Sequence, residues 1–375
     1  MKTRAAVLNA MRVAGPYAVS KPLAIEELEL DLPGPGEVLL RIKAAGLCHS
    51  DLSVINGDRP RPLPMALGHE AAGIVEEVGP GVADLARGDH VVCVFVPSCG
   101  HCSPCAEGRP ALCEPGAAVN GAGTLLSGAR RLHRADGTAV QHHLGVSGFA
   151  DFATVSRCSL VKIDPELPLD EAALFGCAVL TGVGAVVNTA RVQAGASVAV
   201  VGLGGVGLCS LLGAIAAGAR EIVAIDLADD KLAFARELGA TATFNAKDPD
   251  CAEQVRSATG GGVEYAFELA GSVRALELAY KLTRRGGTTV TAGLPPPTAT
   301  MALPAVNLVA EERTLKGSYI GTAVPSRDIP RFIQLYQRGR LPVDRLMSGT
   351  LALDEINLGF DRLHDGSAIR QVVTL

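Results

Sequence analysis

Surplus positive charge is missing from this chain: 34 Lys and Arg stand against 39 Asp and Glu, for a net charge of −5 and a pI near 5.9. Nucleic acid is therefore not expected as a main partner, because phosphate binding needs a basic face. Long apolar runs are missing as well. Nothing is long enough to span a bilayer, so no membrane association is expected. The start, Met1 to Leu8, runs straight into strand-like sequence with no apolar leader core or cleavage signature, so no signal peptide is expected either. Charged residues make up only 19%, alongside 43 Gly, 22 Pro and 48% hydrophobic residues, a mixture that suits an α/β enzyme with many turns rather than a disordered chain. The length of 375 residues suggests two domains with ample cores. Ten cysteines would suit a disulfide scaffold in a short secreted chain; here four cluster at metal spacing without an export signal, which points to the cytoplasm.

The chemistry is concentrated between Gly46 and Gly73. Gly46-Leu47-Cys48-His49-Ser50-Asp51 is followed by a Pro-rich loop and then by Gly68-His69-Glu70-Ala71-Ala72-Gly73. Thiolate and imidazole are preferred zinc donors, and a catalytic zinc takes three protein ligands and keeps one position open. Cys48 and His69 supply two, and Cys177 is the candidate third because it immediately precedes the segment leading into a nucleotide-binding unit. A second cluster, Cys99, Cys102, Cys105 and Cys113, has the spacing of a closed four-thiolate site, which is structural rather than catalytic. An iron site, a nucleic-acid-binding zinc module and free thiols are the alternatives, with structural zinc favoured. His101 lies inside this cluster and is expected to be solvated. Residues 117 to 145 have little strand or helix signal and read as a long functional loop, with His142 and His143 at the surface or lining a pocket.

Residues 1 to about 178 read as β-rich, with strand candidates Thr3 to Leu8, Val38 to Ala44, Gly73 to Val78 and His90 to Val96. From Ser197 the pattern changes. An apolar strand runs into Gly202-Leu203-Gly204-Gly205-Val206-Gly207, a helix to Ala217, and a second strand, Glu221 to Ile225, ending at Asp226. Strand, glycines, helix, strand and terminal acid in that order mark a dinucleotide site, with pyrophosphate at the helix N-terminus. Asp226 can accept from the ribose hydroxyls and would repel a 2′-phosphate, and Leu227 stands where an Arg would serve NADP, so NAD is expected. The remainder alternates as a doubly wound sheet should: helix Asp229 to Leu238, strand Val263 to Leu269, helix Ser272 to Arg285 stopped by Gly286-Gly287, then strands Thr288 to Leu294 and Thr314 to Ile320.

The run from Gly68 to Val82, with Gly73 and Gly79, resembles the signature of the zinc-containing, NAD-dependent medium-chain alcohol dehydrogenases, and the later motifs match in order over essentially the whole chain. The resemblance implies an α/β protein with a β-rich, GroES-like, partly closed barrel as catalytic domain (1–178 and 322–375, structural zinc lobe about 97–115). A doubly wound, parallel-sheet Rossmann domain (179–321) would bind the cofactor, with substrate in the cleft between them. It implies two Zn²⁺ per subunit and reversible oxidation of an alcohol to an aldehyde or ketone with NAD. The alcohol oxygen would sit on the zinc of Cys48, His69 and Cys177, and Ser50 would hand its proton outward; the family's next relay residue, a His, is replaced by Ser53. By the same resemblance Asp51 orients His69, Glu70 approaches the metal from behind, Lys231 sits beside the ribose, and His49 and Arg370 contact the pyrophosphate. Phe95, His143, Leu144, Leu294 and Tyr319 would line an apolar pocket for medium-length aliphatic, aromatic or terpenoid primary alcohols, with secondary alcohols also open. S-(hydroxymethyl)glutathione is the alternative substrate: Cys113 is followed by no basic residue, which disfavours it, while Arg59 and Arg61 keep it in play. A non-catalytic zinc- and NAD-binding regulator is the reading from a different class. A homodimer paired through Thr314 to Ile320 is expected, with a tetramer as the alternative.

Overall fold

The computed structural model describes all residues 1–375, and contacts divide the chain into two compact units. The first comprises Met1–Cys177, Val324–Pro330 and Asp344–Leu375; the second comprises Ala178–Ala323 and Arg331–Val343. The segment Arg331–Val343 thus groups with the cofactor half, although the expected boundary at 322 put it with the first. No single helix is long and apolar enough to cross a membrane.

In the first unit, strands Lys2–Leu8, Leu23–Leu30, Leu132–His133, Ala139–His142 and Met65–Ala66 close into a small barrel. Its interior is filled by Ala5, Val7, Leu28, Leu30, Ala66 and Val140. Alternate residues of Lys2–Leu8 and Leu23–Leu30 can reach one interior because strand side chains alternate faces. Beside it lies a seven-stranded sheet in the order Leu160–Lys162, His90–Cys93, Glu70–Val78, Glu37–Gly46, Arg370–Thr374 and Met347–Ala352, with Phe152–Ser156 also pairing to Glu37–Gly46. The central strand Glu37–Gly46 is almost wholly buried and has chemistry-bearing neighbours on both sides: Gly46 pairs with Glu70 on one and with Val372 on the other.

The second unit is a six-stranded, all-parallel sheet in the order Ala242–Asn245, Glu221–Asp226, Ser197–Val201, Val263–Glu268, Thr283–Thr291, Thr314–Gly317. Ser197–Val201 is buried throughout, which explains its unbroken apolar sequence. The helix Asp229–Leu238 ends at Gly239 in the left-handed conformation.

Three expectations are corrected. Residues 117 to 145 are not a structureless loop: Glu114–Ala122 is a helix and Leu132–His133 and Ala139–His142 are barrel strands. The helix is capped by the Cys113 sulfur, which accepts from Gly116 N–H, and the strands are too short to announce themselves without partners from Leu23–Leu30 and Met65–Ala66. The helix expected over Ser272 to Arg285 is Val273–Leu282, and Gly286-Gly287 lie within strand Thr283–Thr291, where Val263 pairs with Thr283 but Tyr265 with Thr288, so residues 284–287 bulge. The last strand stops at Gly317, followed by a short 3₁₀ turn at Ile320–Thr322.

One buried ion pair ties the central strand to the segment beyond residue 125. Glu37, 1% exposed, accepts from Ser127 Oγ (2.6 Å), Arg131 Nε (2.8 Å) and Gly34 N–H (2.8 Å). Burial pushes its carboxyl up, but these donors outweigh burial and hold it below its ordinary 4.5. A depressed carboxylate stabilises the fold above its unfolded pKa, and that contribution drains away as pH falls through the folded value. Glu37→Gln should cost about 1–3 kcal/mol at pH 7 and flatten the acid limb of stability below pH about 4.5, read by urea unfolding against pH.

Candidate active site and nucleotide turn

Two adjacent strands and a 3₁₀ turn of the first unit deliver the candidate active site. Glu37–Gly46 leads into Cys48, which starts the helix His49–Ile55; His69 precedes strand Glu70–Val78; and Cys177 follows the 3₁₀ turn Ala173–Gly176. Cys48, His69, Glu70 and Cys177 are all buried, and their donor atoms lie within 4.8 Å of one another. Gly46 makes the convergence feasible: a Cβ there would stand 2.6 Å from Glu70 Oε2 and 3.4 Å from Arg370 Nη2. Only a residue without a side chain leaves that space.

Sulfur, nitrogen and sulfur in a dry, closely spaced set suit zinc. The electrostatics agree. Cys48 is held well below the ordinary thiol value, first by its hydrogen bond with Cys177 and then by His69, against the penalty of burial. Burial disfavours a charged His69, yet Asp51 and Cys48 together raise its pKa to about 10, so the surroundings call for a cation at this ring. His69 Nε2 and Glu70 Oε1 are buried without hydrogen-bond partners. Orphaned polar atoms of this kind are costly unless an ion takes them up.

Asp51 stands behind the site, 0% exposed. Its Oδ2 lies 3.1 Å from His69 Nδ1, its Oδ1 lies 3.0 Å from His143 Nδ1, and Oδ1 also accepts Gly68 N–H at 3.1 Å. Burial works against its ionisation, but the two imidazoles keep it below the usual carboxylate range. Glu70 Oε2 pairs with Arg370, which is itself buried rather than solvated. The Phe95 ring meets His69 edge-on with centroids 5.2 Å apart.

The histidine pair departs from expectation. His142 is not at the surface: it is fully buried, its Nε2 accepts Arg131 N–H at 3.0 Å, and burial lowers its pKa to about 4. His143 is more than a lining residue, because its Nδ1 lies 3.0 Å from Asp51 Oδ1. His142 closes the strand Ala139–His142 and His143 opens the turn after it, which separates the two rings. Of the other expected pocket residues, Phe95 and Leu144 are buried in the first unit, while Leu294 and Tyr319 belong to the second and are 52% and 40% exposed. Ser50 is half-buried, and Ser53 Oγ donates to Ser50 O at 2.9 Å. His49 is exposed. Missed from the sequence were the Glu70–Arg370 pair, the His143–Asp51 bond and Asn120, whose amide donates to Phe95 O at 2.7 Å. No local pattern signals such long-range partners.

The sulfur atoms of Cys99, Cys102, Cys105 and Cys113 also lie within 4.8 Å of one another, and none of the ten cysteines is in a disulfide. Backbone N–H groups aim at these sulfurs: Cys99 N and Gly116 N on Cys113 Sγ (3.2 and 3.3 Å), and Cys102 N on Cys99 Sγ (3.3 Å). The His101 N–H foremost lowers Cys99 to about 6, against a small burial effect. Four sulfurs gathered this closely, three of the contacts coming from backbone amides, form a closed donor set without room for substrate. His101 is exposed, its Nδ1 2.8 Å from Cys99 O.

In the second unit the turn after strand Ser197–Val201 opens helix Gly205–Ala216, with Gly204 as cap. The first N–H groups of that helix, including those of Val206 and Gly207, have no acceptor within the helix, the arrangement that suits an anion. Gly207 packs so close to Gly202 that an added Cβ would lie 1.8 Å from Gly202 O. Asp226, at the end of its strand, accepts from Leu203 N (2.6 Å), Leu227 N (2.8 Å) and Ala228 N (3.1 Å), which pins its carboxylate beside the glycine turn. Lys231 follows on the first turn of helix Asp229–Leu238. Gly207→Ala should force the turn open at a penalty of about 1–3 kcal/mol. NADH binding followed by fluorescence should weaken tenfold or more, while the first unit keeps its metal.

Comparison with known proteins agrees with this geometry. The alcohol dehydrogenase GroES-like domain family matches residues 34–165, and the zinc-binding dehydrogenase family matches residues 205–338. The chain is 41% identical to the NDMA-dependent alcohol dehydrogenase of Amycolatopsis methanolica (100% of this chain, 99% of that one). It is 37% identical to the S-(hydroxymethyl)glutathione dehydrogenase of Paracoccus denitrificans over the full length of both. The solved structure of benzyl alcohol dehydrogenase from Acinetobacter calcoaceticus superposes with a TM-score of 0.93 at 32% identity, covering 100% of this chain and 99% of that one. A buried Cys–His–Cys donor set in a GroES-like unit, joined in one chain to a parallel-sheet nucleotide unit, therefore places this protein in the zinc-containing medium-chain alcohol dehydrogenase family, as an oxidoreductase that acts on alcohols.

Proposed function

We propose that this enzyme oxidises a medium-length aliphatic, aromatic or terpenoid primary alcohol with NAD, reversibly, using two zinc ions per chain. The observation that carries the reading is the buried set Cys48, His69 and Cys177, with Asp51 on the far nitrogen of His69. When bound there, zinc supplies Lewis acidity toward an alcohol or carbonyl oxygen, and the nicotinamide supplies the hydride acceptor. Cys48, His69 and Cys177 provide three donors and leave a position for substrate, with Glu70 in reserve behind them. Asp51 fixes the tautomer and aim of His69. Ser50 is the first carrier of the alcohol proton. Ser53 stands where the family has a His and its Oγ donates back to Ser50 O, so water or another base is the next acceptor. Asp226 serves the ribose, with Lys231 beside it, while Arg370 is paired with Glu70 in the first unit. Cys99, Cys102, Cys105 and Cys113 hold the second, structural zinc.

Metal analysis should return two zinc per chain. Cys177→Ser should retain the fold and one zinc and lose turnover by a factor of at least about 10³, in line with the loss of several kcal/mol of transition-state stabilisation. Cys102→Ser should instead lower thermal stability. One zinc in the unmodified protein, or full activity of Cys177→Ser, contradicts the reading.

NAD is preferred over NADP because the Asp226 carboxylate would face a 2′-phosphate. Asp226→Asn keeps the shape and removes the charge, so the ratio of kcat/KM for NADP over NAD should rise about tenfold or more. Equal use of both cofactors by the unmodified enzyme would sink the assignment.

Phe95, packed on the His69 ring, and Leu144 make the first unit's side of the proposed substrate site apolar, and each buried methylene of substrate contributes roughly 0.8 kcal/mol. Hexanol and benzyl alcohol should therefore exceed ethanol in kcat/KM by about tenfold or more. The likeness to benzyl alcohol dehydrogenase supports this choice. The likeness to S-(hydroxymethyl)glutathione dehydrogenase supports a second substrate, and Arg61, whose Nε is buried without a partner, is the cation that would favour it. A preference for that adduct over benzyl alcohol decides for the second reading. We further read the enzyme as a cytoplasmic homodimer: the edge strand Thr314–Gly317 is largely exposed, and Val306 and Val309 on the helix before it are 68% and 81% exposed. Light scattering distinguishes dimer from tetramer and monomer.

A further inference from the structure

We propose that His143 is a positioning residue for the catalytic metal site: its Nδ1, 3.0 Å from Asp51 Oδ1, holds the Asp51 carboxylate in place, and Asp51 in turn holds His69. The inference rests on the reading that Cys48, His69 and Cys177 hold zinc.

The geometry is that of a relay of orientation. His143 Nδ1 lies 3.0 Å from Asp51 Oδ1, and Asp51 Oδ2 lies 3.1 Å from His69 Nδ1. All three side chains are 0–1% exposed. The two imidazoles stand perpendicular with centroids 5.5 Å apart, so each addresses a different oxygen of one carboxylate. With only Gly68 N–H besides, Asp51 has few contacts to stop its carboxylate rotating about χ2, a soft torsion for this side chain. The approach of His143 Nδ1 to within 3.0 Å of Oδ1 restricts that freedom.

His143 is itself held with unusual firmness. The residues that follow it, Leu144, Gly145 and Ser147, have φ of 51°, 67° and 53°. Left-handed conformations at Leu and Ser persist only where the surroundings over-determine them. Here the His143 N–H is taken by Ala66 O (3.3 Å) and Ser147 Oγ (3.1 Å), while His143 O accepts from Val146 N (3.0 Å) and Ser147 N (3.3 Å). Ala66 belongs to the strand just before Gly68 and His69, so the turn that aims His143 is built on the segment that carries the metal ligand. These bonds hold the turn that carries His143.

The test is zinc release from the holoenzyme into a chelating dye. The unmodified enzyme should release zinc in two phases, and Cys177→Ser identifies the catalytic one by abolishing it. His143→Phe keeps the volume and removes the donor; the catalytic phase should accelerate about tenfold, the low end of the effect of losing a ligand's supporting partner, while the four-cysteine phase stays unchanged. His143→Asn, whose side-chain N–H can reach Asp51, should restore slow release. Unaltered release from His143→Phe overturns the proposal, since Gly68 would then suffice to hold Asp51. Equal acceleration in the Phe and Asn variants overturns it too, because packing rather than the hydrogen bond would be responsible. If the unmodified enzyme lacks a phase sensitive to Cys177→Ser, the zinc assignment itself falls, and the proposal with it.

Discussion

The site depends on one buried carboxylate. Asp51 is surrounded by Gly68 N–H, His69 and His143, and it is the attraction of two imidazoles and an amide that keeps a charge tolerable where no water reaches. An unpaired carboxylate in such surroundings would cost several kcal/mol. Shared among these donors, it instead anchors three separate chain segments: helix His49–Ile55, the residues before strand Glu70–Val78, and the turn after strand Ala139–His142. The ionic network continues through Glu70 to Arg370 on the C-terminal strand. The catalytic surroundings therefore draw together residues from both ends of the first unit.

The sheet makes that gathering possible. Because Gly46 pairs with Glu70 on one side and Val372 on the other, chemistry from three remote parts of the chain is delivered to neighbouring strand ends. A missing side chain at Gly46 is as necessary as the side chains themselves, since its Cβ would occupy the space of the Glu70–Arg370 pair. In the second unit Gly207 does the same for the nucleotide turn by resting on Gly202 O. In both places function is carried by clearance, which sequence patterns record only as a glycine.

The two cysteine sets illustrate different uses of the same donor atom. Cys99, Cys102, Cys105 and Cys113 sit on a partly exposed lobe where backbone amides, available in any tight turn, satisfy the sulfurs. Cys48 and Cys177 are buried and depend on each other and on His69. The first set lies within a single short segment; the second is assembled from segments far apart in the chain.

That difference marks what the amino-acid sequence determined alone and what it left to the tertiary structure. Features set by contiguous residues were legible: the cysteine spacing of the lobe, the strand–glycine–helix–strand–Asp226 unit, and the parallel alternation after Ser197. Cys48, His69 and Cys177 were singled out by motif, position and family resemblance, and the fold brings their donor atoms within 4.8 Å of one another. Misread or invisible were the features that need a partner brought from a distance. The two barrel strands near residue 140 are too short to signal themselves before pairing, the bulge at 284–287 arises from register with Val263–Glu268, and the His143 and Arg370 side chains find their carboxylates only once the sheets are formed. Local periodicity reports which face of an element is apolar. The register between strands and the partners of buried charges are decided by closing the fold around them, because only in that dry interior does an unpaired polar group become too costly to leave alone.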